Sequence, residues 1–135
     1  MRSFITRALG FLVLINAISG CAKGSGLNVE RAVTVESHGN WFMAVPPQTR
    51  DQQVRIRVDS PDTPVTLYLV TDKDVDALMD QLANGAEIKV PVLEKREKVQ
   101  SVNLSRRMTV GNELAVLISN ATGKPARITV RLTGE

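Results

Sequence analysis

Cysteine, histidine and aromatic side chains are almost missing from this chain. Its 135 residues hold one Cys, one His, one Trp, one Tyr and three Phe. A lone cysteine closes no intramolecular disulfide, and with a single histidine no zinc site of the Cys/His kind can be assembled. No metal or cofactor is therefore expected, and the fold has to be held by packing. A surplus of charge is also lacking. Arg2 and Arg7 lie in the extreme N-terminal segment, and without them fifteen cations face fourteen acids. A nucleic-acid binder shows clustered cations interleaved with aromatic rings. Nucleic acid is accordingly not an expected partner. There is no Gly-x-Ser-x-Gly elbow, and no thiol besides Cys21 that could serve as a nucleophile.

What is present is ordinary in bulk and specific at the N-terminus. With 43% hydrophobic and 23% charged residues, the composition suits one folded domain. Met1 to Arg7 carries two arginines and no acid, and Ala8 to Ile18 is apolar except for Gly10 and Asn16. This is the charged-then-apolar layout of a secretory signal. As a helix the apolar stretch spans about 16 Å, far short of the ~30 Å of a hydrocarbon core.

Ile18-Ser19-Gly20-Cys21 follows directly. It resembles the lipobox of bacterial lipoproteins, an aliphatic residue and two small ones before a cysteine. The resemblance implies cleavage between Gly20 and Cys21, diacylglycerol on the Cys21 thiol, and an acyl chain such as palmitate on the new amine. One acyl chain holds a protein marginally and two or three hold it stably. Ala22, in place of an acid, follows the cysteine; in two-membrane bacteria this family pattern implies an outer-membrane address. Residues 1–20 are thus expected to be a signal peptide and 21–28 a flexible, glycine-rich linker. Residues 29–135 then form the domain, lipid-anchored in the cell envelope.

From Val29 onward the dominant hydrophobic period is two, interrupted by Gly, Pro, Asn and Asp, which predicts an all-β fold. Val54, Ile56 and Val58 alternate with Arg55, Arg57 and Asp59, and Ile128, Val130 and Leu132 with Thr129 and Arg131. Each reads as a strand with one wet face. Val65–Val70 and Leu114–Ile118 are apolar on both faces and belong in the centre. Weaker strand candidates are Ala32–Ser37, Trp41–Val45, Ile88–Leu93 and Val99–Leu104; Pro91 would confine its strand to a sheet edge. Val75, Leu78, Met79 and Leu82 fall at helical spacing, with Thr71 and Asp74 as a capping box and Asn84-Gly85 as a stop. The expectation is a small antiparallel β-sandwich of seven to eight strands, with one short helix as a lid across its edge.

Val54–Val58, the Ser60-Pro61-Asp62-Thr63-Pro64-Val65 turn into Leu67–Val70, and Leu117-Ile118-Ser119 followed by Asn120 resemble bacterial pre-peptidase C-terminal and Golgi-dynamics-like β-sandwich domains. That resemblance implies a non-catalytic accessory or binding module.

Several residue groups could carry chemistry. Trp41 and Phe42 form either a sugar-stacking surface or part of the core. Asp72, Asp74 and Asp76 repeat the opening of a calcium loop, but Ala77 and Ala83 occupy the positions that need Gly and Glu, so helix capping is the reading. His38, beside Gly39 and Asn40, reads as a turn residue without triad partners. Lys95, Arg96, Lys98, Arg106 and Arg107 form either a basic edge facing anionic lipid or wall polymer, or a solvated edge that resists aggregation. The expected function is a non-enzymatic binding or structural envelope domain with a protein or glycan partner. The alternative is a small envelope hydrolase or other enzyme with an unidentified site.

Overall fold

The computed structural model describes residues 27–134. The expected signal peptide, with the expected Gly20–Cys21 cleavage point and lipidation at Cys21, lies outside the described residues. Among the described residues eight strands are present: β1 Asn28–Val35, β2 Asn40–Ala44, β3 Gln52–Asp59, β4 Val65–Thr71, β5 Glu94–Val99, β6 Ser101–Met108, β7 Leu114–Ser119 and β8 Ala126–Gly134. One helix, α1 Val75–Ala83, follows a 3-10 turn over Asp72–Asp74.

The strands make two four-stranded antiparallel sheets, ordered β1-β8-β3-β6 and β2-β7-β4-β5. First pairs with last (β1 with β8), second with seventh, third with sixth and fourth with fifth. The chain is therefore one long hairpin rolled up about its tip, which defines a jelly-roll sandwich. Between the sheets lie Val54, Ile56, Val58, Leu67, Leu69, Val116, Ile118, Val130 and Leu132, all buried. They are the inward half of the period-two pattern, and burying each large one contributes about 1.5–3 kcal/mol.

The doubly apolar strands β4 and β7 are central in their sheet, as their composition predicts. Their outward residues Tyr68, Val70, Ala115 and Leu117 form a second buried cluster with Val75 and Leu78 of α1, against which Met79, Leu82, Ile88, Val90 and Val92 pack. Here the structure corrects several expectations. The helix covers the outer face of the β2-β7-β4-β5 sheet instead of lying across the sandwich edge. Ile88–Leu93 is not a strand but an extended strap over the same face; Gln81 Oε1 accepts from the Lys89 amide at 2.9 Å, while the Leu93 amide donates to Leu69 O at 2.8 Å. Pro91 thus sits in the strap. The Val99–Leu104 candidate straddles a corner at Gln100 between β5 and β6, which lie in different sheets. β1 starts at Asn28, earlier than Ala32 and on the last residue assigned to the linker.

The capping box does not form. The Thr71 hydroxyl donates to the Asp74 carboxylate at 2.8 Å, and neither helical start has a side-chain cap. The C-terminal stop does form. Gly85 has φ +64°, its amide donates to Leu82 O, and the Ala86 amide donates to Gln81 O, the paired bonds of a Schellman motif.

Candidate functional site

The outer face of the β1-β8-β3-β6 sheet has no covering element among the described residues, and its composition follows from the outward half of the alternation. Cross-strand register places Glu30, Arg131, Arg57 and Asn103 in one row. The row to one side is Thr133, Arg55 and Ser105, and to the other Ala32, Thr129, Asp59 and Ser101. Arg107 and Arg127 extend the face at opposite ends, opposite Gln53 and Thr34. Among the described residues every cation on this face is an arginine, five in all, against the acids Glu30 and Asp59.

Arg57 and Arg131 stand directly opposite each other on adjacent strands. Like charges so placed repel, and each guanidinium is turned to a flanking carboxylate. Arg131 donates to Glu30 at 2.9 Å and Arg57 to Asp59 at 3.1 Å. These groups line a shallow hollow of about 210 Å³ bounded by Glu30, Arg57, Asp59, Thr129 and Arg131. A second hollow of about 290 Å³, lined by Ala32, Thr34, Pro61, Arg127 and Thr129 among others, continues it toward the β3–β4 turn. There Arg127 donates to Asp62 at 2.8 Å, and that bond holds the guanidinium above its ordinary pKa.

The turns at this end are held by buried polar groups. Asn120, 1% exposed, donates to the carbonyls of Val35, Glu36 and Lys124 and accepts from the Thr122 amide, so it joins the β1–β2 and β7–β8 connections. The Ser60 hydroxyl donates to Thr63 O, and the Thr63 hydroxyl to Pro125 O. Beside them Asp62, Thr63, Pro64, Thr122, Gly123 and Lys124 line a hollow of about 450 Å³. Sequence reading singled out Asn120 and this turn only through a family resemblance.

The residues singled out from sequence scatter. Trp41 and Phe42 point to opposite faces of β2: Trp41 packs against the inter-sheet core, while Phe42 faces outward at 41% exposure. They cannot form one stacking surface, because adjacent residues of a strand alternate sides. His38 occupies the β1–β2 turn with φ +57°, exposed. Asp72 and Asp74 lie in the 3-10 turn and Asp76 in the first turn of α1. Among the described residues no three His, Cys, Asp or Glu side chains converge as metal ligands.

The five cations of the supposed basic edge divide four ways. A bulge in β5, with Lys98 at φ +50°, offsets its register against β4. Glu94 and Arg96 therefore sit on the rows of Leu69 and Leu67, and Glu94 meets both Arg96 at 2.8 Å and Arg106 at 3.7 Å. Through Arg106 this ion cluster links β5 to β6 at the seam between the two sheets. Lys95 lies over the Tyr68 ring at 5.5 Å and bonds Glu97 at 2.7 Å. That bond raises the Lys95 pKa and lowers that of Glu97. Arg107 belongs to the arginine face. Alternation along β3 and β8 marked Arg55, Arg57 and Arg131 as solvent-facing, but only the register of three strands shows that they adjoin.

No known family model and no curated protein matches the sequence. Solved structures do share the fold. The Yersinia pseudotuberculosis-derived mitogen superposes with a TM-score of 0.55 at 12% identity, over 81% of this chain and 86% of that one. The pre-peptidase C-terminal domain of a Bacillus anthracis collagenase gives 0.56 at 8% identity, over 78% and 89%. Aeromonas hydrophila PliG, a periplasmic lysozyme inhibitor, gives 0.52 at 6% identity, over 84% and 90%. The second agrees with the resemblance read from the sequence. At such identities the likeness is one of fold.

Proposed function

We propose that this protein is a lipid-anchored component of the bacterial cell envelope whose β-sandwich binds a partner without catalysis. The single observation behind the binding reading is the asymmetry of the two sheets: one outer face is sealed by α1 and its strap, and the other presents a polar surface with five arginines. The anchor rests on the Ile18-Ser19-Gly20-Cys21 lipobox and the charged and apolar segments before it. Fold neighbours that include a mitogen, an inhibitor and a pre-peptidase domain are compatible with a binding module.

Two experiments test this reading. Cells fed labelled palmitate incorporate label into the protein, and Cys21→Ser abolishes it; label in the variant removes the anchor. In detergent, where the lipid no longer partitions into a membrane, the mature protein is retained on insoluble envelope material of its host. The Arg57→Gln/Arg131→Gln variant is released, and equal retention of both proteins removes the binding face.

A further inference from the structure

We infer that the arginine face is a receptor for a carboxylate-bearing polysaccharide, seated across the strands with its acid groups on Arg57 and Arg131. This names the partner class of the binding face proposed above and rests on that reading. The argument begins with what these arginines already hold. Arg57 bonds the carboxylate of Asp59 at 3.1 Å and Arg131 that of Glu30 at 2.9 Å. All four side chains are at least 40% exposed, so these pairs are screened and hold weakly. Glu30 and Asp59 thus act as internal stand-ins that an incoming carboxylate can displace at little cost. An anion bridging Arg57 and Arg131 also relieves the repulsion between two guanidiniums set opposite each other in the ladder.

The choice of arginine separates this surface from a diffuse positive patch. A guanidinium presents a planar fork matched to the two oxygens of a carboxylate, whereas lysine offers a point charge. Among the described residues no lysine stands on this face, and its other side chains are mainly Ser, Thr, Asn and Gln, suited to sugar hydroxyls. A membrane surface fits less well. Glu30 and Asp59 would be pressed against a uniformly negative plane, and among the described residues of its outward ladder rows only Ala32 is apolar enough to enter the interfacial layer. A polymer with discrete acid groups can seat them on the arginines and pass between the acids. With no aromatic residue on the face among the described residues, none of them offers base stacking to a nucleic acid.

The test is calorimetric titration of the mature protein in neutral detergent with oligogalacturonate, and with neutral dextran as control. Oligogalacturonate is expected to bind and dextran not to. Affinity should fall roughly tenfold as salt is raised from low to physiological strength, as for a charge-led interaction. Arg57→Gln/Arg131→Gln should lose at least about tenfold, and Arg57→Lys/Arg131→Lys should fall between it and wild type, because charge without the fork is insufficient. Arg96→Gln, at the β5–β6 seam, should bind as wild type.

Equal affinity of the lysine variant and wild type would overturn the fork. Tighter binding to phosphatidylglycerol vesicles than to oligogalacturonate would assign the face to the membrane instead. If oligogalacturonate does not bind while host envelope material is still lost in the Gln variant, the carboxylate ligand is wrong and the binding face stands. If neither binds, both fall.

Discussion

The two outer faces of this sandwich begin from the same strand geometry and end in opposite conditions. On the β2-β7-β4-β5 sheet the outward residues Tyr68, Val70, Ala115 and Leu117 are apolar, and the chain spends α1 and the strap at Ile88, Val90 and Val92 on keeping water from them. On the β1-β8-β3-β6 sheet the outward residues are mainly arginine, threonine, serine and asparagine, with the acids Glu30 and Asp59, and no element among the described residues lies over them. A nine-residue helix is unstable alone, so its presence reports the apolar face beneath it. Among the described residues nothing packs on the bare face, so packing does not dictate its composition.

Mutations should respect that division. The largest effect is expected from Leu78→Ala, which empties a fully buried position under the helix and should cost about 2–5 kcal/mol in urea denaturation. A loss below 1 kcal/mol would mean that α1 is not a structural cover. Next comes Gly85→Ala, which forces a side chain into a left-handed conformation at the helix stop and should cost about 1–2 kcal/mol by thermal melting. No atom would crowd the new Cβ, so backbone strain alone sets that loss.

On the bare face, Arg57→Gln and Arg131→Gln should each change stability by no more than about 0.5 kcal/mol, because exposed pairs contribute little and each change removes a like-charge contact. A large loss there would make the arginines structural and dissolve the comparison. The smallest effect belongs to Glu97→Gln. Glu97 has a lowered pKa, so its pairing with Lys95 contributes above the ordinary carboxylate pKa and is lost as pH falls through the lowered value. Because Glu97 is fully exposed, the melting profiles of variant and wild type should nearly coincide throughout acidification.

The all-β class was legible because alternation is a local property. Val54–Val58 and Ile128–Leu132 state it in five residues each, and β4 and β7 announced their central place by being apolar on both sides. What misled was also local. Ile88, Val90 and Val92 alternate like a strand, yet they face a sheet surface instead of joining a ladder. Thr71 and Asp74 have capping-box spacing, but the hydroxyl found the carboxylate before the backbone. Trp41 and Phe42 looked like a pair because they adjoin in sequence, which in a strand sends them apart. The arginine row was beyond local reach. Arg57 and Arg131 are neighbours only because the third and eighth strands pair, and that pairing depends on how the whole hairpin rolls up.

Arginine footprinting with phenylglyoxal, read by mass spectrometry in intact host envelopes and in purified protein, tests the contrast of faces most directly. Arg55, Arg57, Arg107 and Arg131 should be modified in the purified protein and protected in the envelope, while Arg96, away from that face, reacts equally in both. Uniform labelling of all five arginines in the envelope would show that the uncovered sheet meets nothing there.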